Sequence, residues 1–168
     1  NALLAGVCLA AGVLILPVLF LLWINLENTG LVGGVMIAYD RADVFFGLIL
    51  IHGLLELTAV FVAAGVGLRI GWAWIAPGPY LTRGRAVAGR ARSGMVVALG
   101  LAETLLVSGL EEAFVTPAPV SLAVRLAIGA LLWLGFLAYV FGCGYAADRG
   151  GESADVADLD RGAAAPTG

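Results

Sequence analysis

The chain has no lysine and one histidine, His52, among its 168 residues. Charged side chains make up 12% of it, against roughly 25% in soluble domains. With so little charge there is no basic surface for nucleic acid. Cys8 and Cys143 lie in apolar runs without metal-ligand spacing, which excludes a disulfide framework and leaves two free thiols. No His-Glu-x-x-His helix and no phosphate-binding P-loop occurs, and no cofactor is implied. Ser93, Ser108 and Ser121 have no base nearby in sequence that would make a nucleophile of them. No charged segment precedes the first apolar run and no small-residue cleavage site follows it, so the start does not read as a signal peptide. With Asn at position 1, the chain is expected to be a fragment or a processed product.

What remains is apolar. Hydrophobic residues are 61% of the chain and the mean hydropathy is +1.02. A soluble fold of this length could not bury so much, so lipid must be the solvent for most of it. A spanning helix needs about 20 apolar residues. Residues 2–26 form the first candidate, kinked at Pro17 and ended by the polar run at 25–30. Residues 31–39 would reach only about 14 Å as a helix, too short to cross, and read as a re-entrant or interfacial helix. Residues 44–75 would reach about 48 Å, with His52-Gly53 a natural place for a break. Residues 93–115 and 121–147 complete the set. The expected fold is therefore all-α: a polytopic transmembrane bundle of about four spanning helices plus one short re-entrant or interfacial helix. Residues 1–147 would be the membrane domain and 148–168 a disordered acidic cytoplasmic tail.

Residues 76–92 carry four arginines and no acid, whereas residues 27–43 carry one arginine and three acids. The positive-inside rule places the 76–92 loop and the tail in the cytoplasm and Asn1 on the same side. The spacing of Ala59, Ala63, Ala64, Gly65, Gly67 and Gly71 puts a smooth stripe on one helix face for close helix packing, which favours a homodimer or another envelope protein as partner.

Ionisable residues within spans are costly and are candidates for function. They are His52, Glu56, Arg69, Glu103, Glu111, Glu112 and Arg125. In this topology His52, Glu111, Glu112 and Arg125 share the outer half of the membrane, with Glu56 just beneath and Arg69 snorkelling to the inner surface. His52 and Glu56 are i and i+4, on one helical face, where the carboxylate could fix the imidazole tautomer. Adjacent Glu111 and Glu112 cannot both face one partner, and an Arg125–Glu112 ion pair is the simplest expectation. The polar set could be glue between helices, an outward-opening site, or with His52, Glu56 and Glu112 a metal site, although a lone histidine argues against the last.

Two motifs carry a family resemblance. His52-Gly53-Leu54-Leu55-Glu56-Leu57-Thr58-Ala59 followed by Gly65-Val66-Gly67-Leu68-Arg69 resembles the first signature of the stage II sporulation protein M family. Ser108-Gly109-Leu110-Glu111-Glu112-Ala113-Phe114-Val115-Thr116-Pro117 resembles its second. The resemblance covers residues 1–139. It implies that His52, Glu56, Glu112, Thr116 and Pro117 hold motif positions, with Gly53 beside them. Glu111 stands where the family has an apolar residue, and Ala113 replaces a glycine. Members often carry a further N-terminal membrane segment, which also suggests a fragment. The founding members are understood as scaffolds that bring peptidoglycan-degrading enzymes to the septum during engulfment.

The leading expectation is thus a non-enzymatic scaffold or assembly protein of the bacterial cell envelope. A transporter or channel built on the intramembrane His/Glu site is the alternative, and an intramembrane metallohydrolase the second.

Overall fold

The computed structural model describes residues 1–79 and 81–151, and every regular element among them is helical. Helix α1, Ala2–Ala10, tightens into a 3-10 turn, Ala11–Leu14, and the chain reverses at Ile15. Pro17 follows in the first turn of α2, Leu16–Ala38, where a missing N–H removes no intrahelical hydrogen bond. The proline therefore starts a helix and does not kink one. The expected single span over residues 2–26 is replaced by a helical hairpin. Cys8 and Val18, on either side of the reversal, share one buried cluster with Leu4, Leu21 and Leu22 packed against it.

The polar run at residues 25–30 does not end α2. Helix backbone bonds are indifferent to the polarity of side chains that point outward. Glu27 and Asn28 are exposed, and Thr29 donates its hydroxyl to the Asn25 carbonyl at 2.8 Å. Residues 31–39 belong to the end of α2, and the short helical element of the bundle is Ala2–Leu14. The stop comes at Asp40, in the left-handed region at φ 57°, which a short polar side chain tolerates. The Asp40 N–H bonds the Ile37 carbonyl at 3.0 Å and the Arg41 N–H bonds that of Met36 at 2.8 Å, the two bonds of a Schellman stop.

Helix α3, Ala42–Leu48, passes through a π turn, Ile49–Gly53, into α4, Leu54–Ile75. The expected break at His52-Gly53 is thus a widened turn inside a continuous rod. Helix α5, Arg83–Leu110, is capped by Thr82, whose hydroxyl oxygen accepts from the Arg85 N–H at 3.4 Å. The four arginines of the expected loop accordingly ride on the first turns of α5. Helix α5 runs into a second π turn, Glu111–Val115. Helix α6, Leu122–Gly150, begins at its Ser121 cap and ends at Gly151. It takes in residues 148–150 of the expected tail, while residues 152–168 lie outside the described residues.

Four of these segments are long and apolar enough to cross a membrane: Leu16–Ala38, Ala42–Ile75, Arg83–Val115 and Leu122–Gly150. The protein is a polytopic membrane protein with a helical bundle. Helix α4 is its hub. Ala59, Ala63, Gly67 and Gly71 recur at every fourth position and share one face. Ala59 and Ala63 pack with Ala5 of α1 and Leu101 of α5. A Cβ on Gly67 would collide with the Cys8 carbonyl, one on Gly71 with the Gly12 carbonyl, and one on Gly12 with the backbone of Gly67. Lipid removes the hydrophobic incentive for helices to associate, so backbone-close van der Waals contact does that work here. Gly65 is different: it is exposed, with open space where its Cβ would be.

Candidate intramembrane polar site

The two π turns face each other at the end of the bundle away from the arginines. A π turn puts one extra residue into a helical turn, loosens the backbone ladder, and is frequent at functional sites. On α5 the buried positions Leu101, Thr104, Ser108 and Glu111 follow a 3-4-3 spacing, which defines the inward face. Ser108 is fully buried and donates its hydroxyl to the His52 carbonyl at 3.3 Å, tying the second rod to the first π turn. Glu111 follows on the same face and is 3% exposed. The Thr116 N–H closes the second π turn on the Glu111 carbonyl at 3.2 Å.

Helix α6 completes the site. Gly129 lies against the first π turn so closely that a Cβ would strike the Ile51 carbonyl. Arg125, one turn nearer the helix start, donates through Nη1 to the Thr116 carbonyl at 2.7 Å. Deeper in the bundle, the Trp133 Nε1–H donates to the Thr58 hydroxyl oxygen at 3.1 Å. Around the π turns, five buried side-chain atoms have no hydrogen-bond partner among the described residues: His52 Nδ1, both carboxylate oxygens of Glu111, Thr116 Oγ1 and Arg125 Nε.

The family model described as Stage II sporulation protein M matches residues 1–117. The chain belongs to the stage II sporulation protein M family. The match includes both motifs, hence both π turns, and stops at Pro117, short of the 1–139 stretch expected from the resemblance. No curated protein and no solved structure matches the chain.

In this member of the stage II sporulation protein M family, the structure brings together His52, Glu111, Thr116 and Arg125 and leaves Glu112 out. Glu112 is exposed, although the resemblance implies that it holds the motif glutamate position. The 3-4-3 spacing of the inward face explains this, because after Ser108 it falls on Glu111. Arg125 accordingly pairs with a backbone carbonyl and not with Glu112. Glu56 is half-buried and accepts a hydrogen bond from the Asn1 side-chain amide, so it faces α1 and not the imidazole. Asn1 is therefore level with Glu56, away from the arginines, and not at the arginine end as expected from counting spans. The candidate metal trio of His52, Glu56 and Glu112 is not assembled, and among the described residues no three His, Cys, Asp or Glu side chains stand close enough to hold an ion.

Gly53 has ordinary space around it, with Ile49 3.6 Å from where a Cβ would be. Pro117 is exposed just past the second π turn. Of the three glycines expected to pack helices, Gly67 and Gly71 do so and Gly65 does not. Arg69 and Glu103 are on outward faces. Sequence reasoning missed Ser108, Gly12 and Gly129. The 3-4-3 run on α5 was the available signal for Ser108, whereas a single glycine in an apolar helix gives none for Gly129.

Proposed function

We propose that the protein is a scaffold of the bacterial cell envelope, seated in the cytoplasmic membrane and assembling other spans or copies of itself along α6. The arginine-rich start of α5 and the tail are cytoplasmic, and the π-turn end faces outward, in keeping with the positive-inside rule. Family membership supports an envelope role, and the enzymes gathered would be peptidoglycan hydrolases, as for the founding members of the family.

One observation carries the assembly reading. Helix α6 is the least covered span, with 6% of its apolar window inside the bundle, against 28% for the rod that contains α4. Gly129 is its one buried residue. Its outward faces combine the open glycines Gly135, Gly142 and Gly144 with exposed Tyr139, Phe141 and Tyr145. Small residues allow close helix approach in lipid, and aromatic residues add contact area. The α4 stripe that first suggested a dimer is used up within the chain by Cys8 and Gly12. Association through α6 takes its place.

Cys143 supplies the test. It is exposed on α6, whereas Cys8 is buried. Oxidative cross-linking in native membranes should give a disulfide-linked dimer that Cys143→Ser abolishes, with cysteines introduced at Gly135 and Tyr139 cross-linking in the same helical register. If none of these positions cross-links to a second copy or to a co-expressed hydrolase complex, α6 is not an assembly surface and the reading fails.

A further inference from the structure

We propose that an anionic phospholipid seats its phosphate at the mouth of the seam between α4 and the start of α5, held by Arg83 and Arg90 beside Trp74. This goes beyond the scaffold reading and does not depend on it, since the seat is the same whichever leaflet it faces.

Four observations lead there. The first is charge. From Leu57 to Ala102 the chain has five arginines, Arg69, Arg83, Arg85, Arg90 and Arg92, and no acid. Residues 2–26 add no acid either, and Asp148 at the end of α6 is followed by Arg149. Second, Arg83 and Arg85 stand in the first turn of α5, where the helix macrodipole disfavours cations and no acid is present to offset them. An anion at this place is favoured by the arginines and by the dipole together. Third, the register of α4 and α5 brings two of the arginines to one seam. Arg83, Ala86, Arg90 and Gly94 follow a 3-4-4 spacing and share a stripe of α5. Ala86 and Gly94 are buried, whereas Arg83 and Arg90 are exposed. A Cβ on Gly94 would lie 3.0 Å from Val66 and 3.4 Å from Ile70, so this stripe faces α4. One turn further out stand Arg90 on α5 and Trp74 on α4. Fourth, the Arg83 guanidinium carbon lies 5.9 Å from the centre of the Trp74 ring.

The surroundings favour a lipid over a soluble anion. Trp72 and Trp74 are both exposed at the end of α4, and exposed tryptophans of a spanning helix sit at headgroup level. The indole attracts the cation above it and draws the Arg83 head back to that level. Lipid phosphates lie at this same depth, and the planar guanidinium fork matches two phosphate oxygens at once. Arg85 and Arg92, seven residues apart, lie on the opposite side of α5 and outside the seam.

The test uses the full chain in phosphatidylcholine vesicles containing a minor share of phosphatidylglycerol, with a spin-labelled form of either lipid as probe. Electron spin resonance reports how much of each is immobilised on the protein. The expected result is a preference for phosphatidylglycerol that inorganic phosphate does not compete away. Arg83→Gln and Arg90→Gln should each lower the preference several-fold, the worth of one cation at an anionic surface. Arg85→Gln should lower it less. No preference in wild type would overturn the proposal. Equal loss in all three variants would overturn it too, as the mark of a diffuse surface charge and not a seat. Competition by inorganic phosphate would overturn it in favour of a soluble anion. A preference that emerges only when residues 152–168 are removed would overturn it in favour of the acids of that segment. All three arginines are exposed, so the variants should melt as wild type does. Should one not fold, the wild-type preference and the phosphate competition decide.

Discussion

The two ends of the bundle are built on opposite principles. Towards the arginines, α1, its 3-10 turn and α4 meet backbone to backbone at Gly12, Gly67 and Gly71, and among the described residues no buried side-chain nitrogen or oxygen there lacks a partner. Towards the π turns, the helices are held by single polar links, Ser108 to His52 and Arg125 to Thr116, and all five unpaired buried atoms are found there. Close packing is intolerant of any added atom but asks nothing of chemistry. The polar end tolerates unpaired groups, and a membrane interior makes such groups costly. The contrast separates the half that holds the fold from the half that carries the candidate site.

The contrast is broken most severely at Gly67. In Gly67→Leu the first added atom meets the Cys8 carbonyl, a backbone atom that cannot rotate away. Overpacking a close-packed interior costs about 1–3 kcal/mol and can cost more, and here two helices must separate. The variant should lose its cooperative melting transition in detergent. Gly65→Leu, two residues away on the open face, should melt within about 0.5 kcal/mol of wild type. Equal losses at both positions would show that α4 packs differently from this bundle.

At the polar end the largest effect is expected from Gly129→Val. Its side chain would strike the Ile51 carbonyl in the first π turn and lift α6 from the site. The cost should again be about 1–3 kcal/mol, but confined to α6. Hydrogen exchange should rise in residues 122–133 and at the two π turns while α1 and the lower part of α4 keep their protection. A global loss of protection would mean that the two ends do not separate as described.

Much of this division could be read from the sequence, for identifiable reasons. The number of spans follows from hydropathy, because lipid requires long apolar helices whatever their packing. The small-residue face of α4 was legible except for Gly65, since spacing of four marks a face and a residue two away from it falls on the other side. Two errors had one cause, the treatment of polarity as a helix terminator: residues 25–30 stay helical because their side chains face outward, and the arginines at 83–92 are helical for the same reason. Pro17 was misread because a proline at a helix start and one at a kink look alike in sequence. At the site, the choice between Glu111 and Glu112 depended on which face of α5 is inward, which only the Leu101, Thr104 and Ser108 spacing could show.

Thr116→Val distinguishes an unpaired hydroxyl from hidden glue. Its Oγ1 is buried without a partner, while the bonds that matter run through its backbone: the N–H to Glu111 and the carbonyl to Arg125. Replacing an unsatisfied buried polar atom with a methyl of similar size is neutral or stabilising. Thermal melting should be unchanged or raised by up to about 1 kcal/mol. A loss larger than that would assign the hydroxyl a partner and place Thr116 among the residues that hold the helices together.

The smallest effect belongs to the link midway between the ends, Trp133 to Thr58. Thr58 also donates its own hydroxyl to the Leu54 carbonyl at 2.7 Å. Removing the indole N–H in Trp133→Phe therefore leaves no buried donor stranded, only an acceptor lone pair. Interhelical hydrogen bonds in membranes average about 0.6 kcal/mol, and the loss should be of that size. Thr58→Val removes the same link but leaves the indole N–H without its acceptor, so it should cost more than Trp133→Phe. The double variant should cost less than the two single losses combined, because once one partner is gone the other has nothing left to lose. Strict additivity would show that α6 is held to α4 by Gly129 and the π turn alone, and would move the boundary between the two halves of the bundle down to that glycine.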